Sequence, residues 1–351
     1  MRVLFLANFP ATEALSEGMS QRMAAVDEQY EEYERAYLFV SHRLFWFKER
    51  YKVKRGALQY HCNLFRHFFF IHKLLKKADV IYIHSVINLL PLLPVWLITR
   101  KHAKVILDAH GVVPEEHLLA GKRWKGKLYG LSEKVLFDNV DTVITVSEAM
   151  KRHFQVKYPV SRARYILYRI LPVNIVQDDY ELEDHHEPPI RVVYSGNTQK
   201  WQHIELMISI IKENLSERIR YDILTGDLEQ MRGYLRDAGL DSAHNVHVAK
   251  VSPQELKSYY KLAHYGFVLR DEIVVNRVAC PTKLVEYLYY GIIPIVKSPS
   301  IGDFMETGYE FLESSSFSPE VKARKSAKNH AIIKRWLAAD QALDVKKLMG
   351  R

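Results

Sequence analysis

The sequence predicts an α/β protein with two Rossmann-like domains, each built on a parallel β-sheet. Three observations lead to this prediction. At 351 residues and 41.0 kDa, the chain is about twice the length of an ordinary domain of about 150 residues. Short β-branched and aromatic runs alternate with longer segments of helical periodicity, and this alternation occurs twice. A polar segment that contains prolines, residues 178–189, lies between the two halves and is the best linker candidate.

The strands are expected at short apolar runs bounded by turn residues. In the first half they are predicted at Arg2–Ala7, Ala36–Val40, Val80–His84, Val105–Asp108, Thr142–Thr145 and Tyr165–Leu167. In the second half they are predicted at Ile190–Tyr194, Tyr221–Leu224, Val246–Val248, Gly266–Leu269 and Ile293–Val296. Helical segments separate most of them. After Gly196, an apolar stripe formed by Ile204, Met207, Ile208, Ile211 and Leu215 is expected to pack on the sheet.

These elements define the expected domain organisation. The N-terminal domain is predicted over residues 1–178, the linker over 179–189 and the C-terminal domain over 190–322. The two domains are expected to face a central cleft. A basic helix is expected near the start of the remaining segment, residues 323–351.

The composition excludes several classes of protein. With 48% hydrophobic and 26% charged residues, the chain is too apolar for an intrinsically disordered protein. The longest apolar stretch, Val86–Ile98, has 13 residues, whereas a membrane-spanning helix needs about 20. The N-terminal run lacks a signal-peptide cleavage site, and the two cysteines, Cys62 and Cys280, give no disulfide framework. A cytoplasmic protein without a transmembrane helix is therefore expected.

Positive charge is concentrated in residues 1–180, which contain 27 Lys and Arg against 18 Asp and Glu, whereas residues 181–351 contain 23 of each. Basic and aromatic side chains are interleaved over residues 43–77, which is typical of a surface that docks on an anionic membrane. In the alternative interpretation, the apolar side chains face the core and the charges face water. No nucleic-acid-binding motif occurs, so no nucleic-acid partner is expected.

The sharpest chemical signal is the run from Asn276 to Gly291, NRVACPTKLVEYLYYG. Pro281 suits the first position of a helix because its missing N–H would have no partner there. Gly291 suits the residue just after the helix ends. The run therefore predicts a short helix over residues 281–290.

The start of this helix is expected to bind an anion. The amides of Thr282, Lys283 and Leu284 have no partner within the helix, and the Lys283 ammonium adds a charged hydrogen bond to a phosphate. Glu286 lies on the same helix face, where a carboxylate can accept hydrogen bonds from ribose hydroxyls. Together these features indicate a nucleotide site. The alternative is an ordinary surface helix with a Lys–Glu pair worth about 0.2–0.5 kcal/mol.

This run resembles the motif near the C-terminal end of the donor domain in retaining GT-B glycosyltransferases of the family-4, or group 1, type. Members that make surface polysaccharides often carry a Pro-x-Lys-x-x-Glu-Tyr core followed by Gly. Three further motifs fit in the same order along most of the chain: Asp108–Glu116 (DAHGVVPEE), Val146–Met150 (VSEAM) and Tyr194–Trp201 (YSGNTQKW). The combination is more specific than any single motif. It implies the GT-B fold, with an acceptor-binding N-terminal domain, a donor-binding C-terminal domain and a last helix that packs back on the N-terminal domain.

The resemblance also assigns roles to individual residues. The nucleotide-sugar donor is expected to contact Gly196, Asn197, Lys200, Arg270, Asn276, Thr282, Lys283 and Glu286. The acceptor is expected near Gly18, Gly111, Glu115 and Glu116. His110 ends a predicted strand, where ligands approach an open sheet, and with Lys200 and Lys283 it forms the expected catalytic set. Its imidazole would hydrogen-bond either a donor-sugar hydroxyl or the leaving phosphate. The alternative is a structural histidine, the safer assignment for most of the 16 histidines in the chain.

The chain departs from the family pattern at two positions. The family's pair of glutamates eight positions apart retains only its second member, Glu286, because the earlier position is Val278. Asn197 follows Gly196, where arginine is common in the family. Lys200 remains available, and Lys283 and Arg270 are the candidates to supply the missing positive charge.

The expected function is transfer of a sugar, with retention, from a nucleoside-diphosphate donor to a surface glycan or lipid-linked glycan at the inner face of the cell membrane. No P-loop, zincin, Cys-x-x-Cys or Gly-x-Ser-x-Gly motif occurs, and no Asp-x-Asp signal offers ligands for a metal. A metal-independent reaction without a cofactor is therefore expected, in which basic groups and helix amides neutralise the diphosphate. Two alternatives stay open, a nucleotide-sugar epimerase or phosphorylase on the same fold and a non-catalytic polysaccharide-assembly protein.

Overall fold

The computed structural model describes residues 1–10, 18–41, 49–52, 56–99, 102–169, 171–183, 187–339, 343 and 348. The chain divides into two units: unit 1 comprises residues 1–169 and 341–351, and unit 2 comprises residues 170–340. Each unit has its own parallel or mainly parallel β-sheet with helices between the strands. The predicted fold class, two α/β domains with parallel sheets, is therefore confirmed.

Unit 1 alternates strands and helices along the chain. Its strands are β1 (Arg2–Leu6), β2 (Glu34–Ser41), β3 (Glu49–Lys52), β4 (Leu58–Asn63), β5 (Val80–His84), β6 (Lys104–Ala109), β7 (Thr142–Thr145) and β8 (Arg164–Leu167). Its α-helices are α1 (Gly18–Gln29), α2 (Phe68–Lys77), α3 (Leu93–Ile98), α4 (Val113–Leu119), α5 (Arg123–Phe137) and α6 (Glu148–Lys157).

The sheet of unit 1 has the order β3-β4-β2-β1-β5-β6-β7-β8. All neighbouring pairs are parallel except β3 and β4, which pair antiparallel at the edge. Every residue of the central strand β5 (VIYIH) is buried, as expected for a strand covered on both faces. Sequence reasoning missed β3 and β4 because they lack the β-branched runs that marked the other strands.

One face of this sheet carries an aromatic core. Phe5 stacks on Tyr37 with ring centres 4.7 Å apart and meets Tyr30 edge to face at 5.6 Å. Two residues from near the end of the sequence, Leu343 and Leu348, pack into the same core with 5% and 2% exposure. The core of unit 1 therefore includes residues from both of its chain segments, which all of unit 2 separates in sequence.

Unit 2 is a second α/β unit. Its strands are β9 (Ile190–Ser195), β10 (Ile219–Leu224), β11 (Val246–Ala249), β12 (Tyr265–Val268), β13 (Ile293–Val296) and β14 (Leu312–Glu313). Its α-helices are α7 (Val173–Val176), α8 (Ile204–Glu213), α9 (Leu228–Asp237), α10 (Pro253–Leu262), α11 (Val274–Arg277), α12 (Thr282–Tyr289), α13 (Phe304–Thr307) and α14 (Ala327–Ala338). The strand order is β11-β10-β9-β12-β13-β14, and all pairs are parallel.

Two helices of unit 2 follow their sequence patterns closely. Helix α8 buries the predicted stripe from Ile204 to Ile211. The placement of Leu215 in this stripe is wrong, because the helix ends at Glu213 and Leu215 is exposed. Helix α12 begins one residue after Pro281, which is its N-cap rather than its first helical residue.

The basic segment near the end of the sequence forms α14, which packs against α12 within unit 2. Ser326 caps its N-terminus by accepting a hydrogen bond from the amide of Asn329. Among the described residues, no helix combines the length and the apolar composition that crossing a membrane requires.

In each unit, the direction of the strand order reverses beside its first strand. In unit 1, β1 lies between β2, the next strand along the chain, and β5. In unit 2, β9 lies between β10, the next strand along the chain, and β12. Ligands of open parallel sheets bind at the carboxyl ends of strands beside such a reversal. The residues that follow β1, β5 and β6 in unit 1, and β9 and β12 in unit 2, are therefore the places to examine for sites.

The two C-terminal leucines give a test of how unit 1 is completed. Leu343→Ala or Leu348→Ala should each cost about 2–5 kcal/mol of stability, because a buried leucine is replaced by a cavity. Thermal unfolding followed by circular dichroism measures the effect. Leu215→Ala is the matched control, because Leu215 is exposed and its loss should change stability by about 0.5 kcal/mol or less. Equal melting temperatures for all three variants and the wild type would contradict the packing.

Candidate functional site

In unit 2, the loop after β9 meets the first turn of α12. The Lys283 ammonium donates a hydrogen bond to Gln202 Oε1 at 3.0 Å and lies 4.4 Å from the centre of the Tyr194 ring. Gly196 has a φ of +149°, a backbone conformation that favours glycine. A Cβ at this position would lie 3.1 Å from the Tyr194 hydroxyl and 3.6 Å from Lys283 Nζ. The glycine therefore keeps the loop close to the lysine.

A second cation, Arg270, follows β12 in the same unit. Its Nη1 donates to Asn276 Oδ1 at 3.2 Å, and the Asn276 amide donates in turn to the carbonyl of Asp271 at 2.8 Å. Asn276 is buried and so holds the arginine in place. The Nε atom of Arg270 is buried and has no hydrogen-bond partner among the described residues. This geometry leaves a guanidinium donor available to a ligand.

Burial makes both cations less ready to carry their positive charge. Burial, together with the positive charge of Arg270, lowers the pKa of Lys283 to about 7. Burial also lowers the pKa of Arg270 from its ordinary value. Because a nearby anion would reverse both effects, the arrangement favours binding of a group with negative charge.

Glu286 lies one helical turn after Lys283. It accepts hydrogen bonds from the side-chain amide of Asn174 at 2.9 Å and from the Tyr260 hydroxyl at 3.4 Å. Burial raises its pKa above the ordinary value despite these hydrogen bonds. The carboxyl group is thus oriented by neighbours that the sequence analysis did not identify, since they lie far from it in the chain.

The other residues expected to contact the donor lie in the loop after β9 or in the first turn of α12. Asn197 and Lys200 are exposed, and Thr282 is half-buried in the first turn of α12. Asp227 anchors the loop between Asn197 and Lys200, because its carboxylate accepts hydrogen bonds from the amide and hydroxyl of Thr198 at 2.8 and 2.9 Å. Sequence reasoning missed Asp227 because no motif marks it. The structure therefore brings Gly196, Lys283 and Arg270 together and leaves the Lys200 side chain facing solvent.

In unit 1, a polar cluster lies at the carboxyl ends of β5 and β6. Nε2 of His110 lies 3.3 Å from Oδ2 of Asp108, and Nδ1 of His84 lies 3.6 Å from the same oxygen. The two histidine nitrogens are 3.5 Å apart. Only His110 of these three was expected from the motif, since Asp108 and His84 stand within strands, where side chains are usually structural.

Asp108 is held by a buried arginine from α1. Oδ1 of Asp108 accepts from Arg22 Nη2 at 2.7 Å and from Nε at 3.0 Å, and Oδ2 accepts from the Tyr82 hydroxyl at 3.0 Å. The guanidinium also donates to the carbonyl of Tyr168 at 2.7 Å. The side chains of both Arg22 and Asp108 are almost completely buried, with 1% and 0% exposure.

Protonation in this cluster follows from the ion pair. Burial opposes ionisation of Asp108, but the charge of Arg22 and hydrogen bonds from the histidines outweigh it and hold the pKa well below its usual range. Burial lowers the pKa of His84 to about 4, against the opposing effect of Asp108. At neutral pH the cluster therefore contains a carboxylate, a guanidinium and a neutral His84.

The three side chains also have a geometry that a metal ion accepts, because ligand atoms of His84, Asp108 and His110 lie within 4.8 Å of one another. The carboxylate, however, already receives hydrogen bonds from Arg22. A divalent cation here would have to displace the guanidinium or bind beside its positive charge. Metal independence therefore remains a prediction.

The residues expected to contact the acceptor have different surroundings. Gly111 packs against Glu116, since a Cβ on the glycine would lie 2.1 Å from Glu116 Oε1. Burial raises the pKa of Glu116, which accepts a hydrogen bond from the amide of Val112. The Glu115 carboxylate forms an ion pair with the Lys157 ammonium at 2.7 Å. Burial opposes ionisation of Glu115, but hydrogen bonds from His153 and Lys157 outweigh burial and lower the pKa of Glu115 to about 2. Gly18 is the first residue of α1, and the preceding residues 11–17 lie outside the described residues.

The close approach of Gly111 and Glu116 gives a double-mutant test. Gly111→Ala should cost about 1 kcal/mol, because the new methyl group pushes the carboxyl group away from its hydrogen bond with Val112. In a Glu116→Ala background the same change should cost nothing. Melting temperatures of the four proteins measure the coupling. Gly130→Ala is the control, since the nearest atom to its Cβ lies 4.0 Å away; an equal cost of Gly111→Ala in both backgrounds would contradict this packing.

A comparison of the sequence with known protein families finds a match within unit 1. Residues 12–168 match the family model described as "Glycosyl transferase 4-like domain". No curated protein matches the sequence.

Many solved structures share the fold. The Anabaena protein HepE, solved in complex with UDP and glucose, has a TM-score of 0.62 and 11% identity, and the alignment covers 100% of this chain and 97% of HepE. The lipopolysaccharide outer core galactosyltransferase WaaB has a TM-score of 0.61 and 13% identity, with 100% and 94% coverage. Trehalose-6-phosphate synthase OtsA has a TM-score of 0.56 and 12% identity, with 99% and 93% coverage.

The family match lies within unit 1, and the similarity to these structures extends over both units. The chain as a whole has the GT-B fold, and its residues 12–168 match a glycosyl transferase 4-like domain.

Proposed function

We propose that the protein transfers a sugar, with retention of configuration, from a nucleoside-diphosphate sugar to a glycan acceptor. The observation that carries the proposal is the pair of cations Lys283 and Arg270 in unit 2. Their pKa values are both lowered, and Arg270 keeps a buried Nε atom without a partner among the described residues. A diphosphate has the negative charge and the acceptor oxygens that such a pair requires.

The neighbouring groups fit the rest of a nucleotide. The amides of Thr282 and Lys283 at the start of α12 would donate to an anion there, whereas the Leu284 amide, expected to be free, already donates to the carbonyl of Pro281 at 3.0 Å. Gly196 allows the backbone to approach such an anion closely. Glu286 is available to accept hydrogen bonds from ribose hydroxyls once Asn174 gives way to the ligand. HepE was solved in complex with UDP-glucose, which makes UDP-sugars the first donors to test.

The proposed chemistry relies on positioning and on charge neutralisation. In a retaining transfer the acceptor attacks on the face from which the phosphate leaves, and the leaving phosphate takes the acceptor's proton. Lys283, Arg270 and the amides of α12 stabilise the negative charge that develops on the departing diphosphate. This set replaces a metal ion, and neither a metal nor a cofactor is part of the proposal. Unit 1 is proposed to supply His110 at the reacting sugar and to bind the acceptor near Gly111 and Glu116.

Unit 1 is also proposed to contact an anionic membrane through the segment 43–77, at the inner face of the cell membrane. Of this segment, residues 43–48 and 53–55 lie outside the described residues. In the described part, Phe65 and Phe69 are 75% and 85% exposed, and the basic residues Lys73, Lys76 and Lys77 of α2 are also exposed. Such a surface would keep the enzyme near a lipid-linked glycan acceptor.

Donor binding gives the main test of the proposal. Lys283→Met should weaken UDP-glucose binding about tenfold to a hundredfold, because it removes a charged hydrogen bond worth about 1.5–3 kcal/mol. The binding should also take up protons above pH 7: free Lys283, with a pKa near 7, is partly neutral there, and the bound phosphate raises its pKa. Isothermal titration calorimetry at pH 6.5 and 8, in two buffers with different ionisation enthalpies, measures both effects.

The expected proton uptake is small at pH 6.5, where Lys283 is mostly charged, and larger at pH 8, where affinity is correspondingly lower. Lys283→Met should abolish the uptake. Lys212→Met is the matched control, because Lys212 is an exposed lysine of α8 in the same unit. If Lys283→Met bound UDP-glucose with wild-type affinity, Lys283 would not be a donor-binding residue. A metal chelator should leave UDP-glucose binding by the wild type unchanged.

Membrane contact is tested by co-sedimentation with lipid vesicles. Wild-type protein should bind vesicles that contain about 30% phosphatidylglycerol more strongly than neutral vesicles, since each basic residue near an anionic surface contributes about 1 kcal/mol to the binding free energy. Phe69→Ser should weaken the binding, because it removes an exposed aromatic side chain from the docking surface. Leu262→Ser, at an exposed apolar position in unit 2, is the control. Binding that does not depend on lipid charge would contradict the proposed surface.

A further inference from the structure

The imidazole of His110 is held through one of its two ring nitrogens. Nε2 faces the carboxylate of Asp108 at 3.3 Å. Nδ1 is buried and has no hydrogen-bond partner among the described residues. A buried polar atom without a partner is costly. At the carboxyl edge of a parallel sheet, such an atom indicates where a ligand supplies the partner.

The state of Asp108 determines which nitrogen carries the proton. Burial opposes its ionisation, but Arg22 and the hydrogen bonds around it keep the pKa well below the usual range. An ionised carboxylate only accepts hydrogen bonds, so the nitrogen that faces it is favoured as N–H. In a neutral imidazole the other nitrogen then carries the lone pair.

The surrounding groups do not reverse this preference. His84 is neutral near pH 7, because burial lowers its pKa to about 4, and its Nδ1 faces the same carboxylate oxygen at 3.6 Å. The same Nδ1 lies 3.5 Å from Nε2 of His110, farther than the charged carboxylate oxygen at 3.3 Å, so the carboxylate is the nearer and stronger acceptor for a proton on Nε2. The Tyr82 hydroxyl donates to this oxygen at 3.0 Å. Arg22 contacts both oxygens and leaves Oδ2 facing His110. Every neighbour of the carboxylate can therefore act as a donor toward it.

We propose that Asp108, kept ionised by Arg22, is a positioning residue that holds His110 in its Nε2–H form and leaves Nδ1 as an acceptor for a sugar hydroxyl. This inference rests on the proposed function for the identity of the ligand. It decides between the two roles open to His110: a lone pair on Nδ1 accepts a hydrogen bond from a hydroxyl group and repels a phosphate oxygen. Asp108 and Arg22 act through the histidine and do not themselves touch the sugar.

The first experiment reads the tautomer directly in the full chain without ligand. Protein labelled with ¹⁵N-histidine is examined at pH 8 by long-range ¹H–¹⁵N correlation NMR, and loss of signals in His110→Asn identifies the His110 resonances. The Nε2–H pattern is expected in the wild type and in Tyr82→Phe, which keeps the carboxylate. A shift toward the Nδ1–H form is expected in Asp108→Asn. An Nδ1–H or doubly protonated His110 in the wild type, or an unchanged pattern in Asp108→Asn, would overturn the proposal.

Asp108→Asn leaves Arg22 without its counter-charge and can fail to fold, so a second pair of variants leaves Asp108 intact. Asparagine at position 110 places an amide oxygen near the position of Nδ1, whereas glutamine places its amide near that of Nε2. His110→Asn should therefore release UDP from UDP-glucose with a kcat about tenfold higher than His110→Gln, the effect of one hydrogen bond.

Both position-110 variants should bind UDP, which lacks the sugar, with wild-type affinity, since the proposed nucleotide and diphosphate contacts lie in unit 2. Equal kcat values, or a faster glutamine variant, would overturn the assignment of Nδ1. The tautomer measurement needs neither turnover nor ligand. Failure of the proposed function would instead appear as unchanged UDP-glucose affinity in Lys283→Met, so the two failures are distinguishable.

Discussion

The buried ion pair between Arg22 and Asp108 is the interaction on which the functional edge of unit 1 depends. It joins α1 to β6 and, through the carbonyl of Tyr168, to the residue that follows β8. Removing one partner of a buried pair costs about 3–5 kcal/mol, because the remaining charge stays buried without compensation. The pair therefore fixes the ends of strands that are separate in sequence, and the histidines at this edge take their positions from it.

Unit 2 shows the opposite electrostatic arrangement. In unit 1 the buried cation has a carboxylate partner, and the cluster is satisfied apart from atoms of the two histidines. In unit 2 burial lowers the pKa values of both Lys283 and Arg270, and the charge of Arg270 lowers that of Lys283 further. Glu286 hydrogen-bonds to Asn174 and Tyr260 instead of forming an ion pair with Lys283. The proposed ligands follow this difference: neutral sugar groups at the first site and an anionic diphosphate at the second.

The sequence predicted the fold class and most strands, because the βα alternation is strong and the central strands are continuous apolar runs. It missed β3 and β4, whose residues are mainly polar, and it placed Leu215 on a helix that ends before it. For the sites, motifs identified His110, Gly196 and Lys283. They did not identify Arg22, Asn174 or Asp227, because these residues act through contacts made only after distant segments pack together.

The contribution of Leu343 and Leu348 to the core of unit 1 has a consequence for biosynthesis. Folding units of most proteins complete during translation, N-terminal unit first. Here the first unit to leave the ribosome cannot close its core until residues 343–348 have also emerged, after all of unit 2. We expect the aromatic face around Phe5 to stay partly uncovered for that interval.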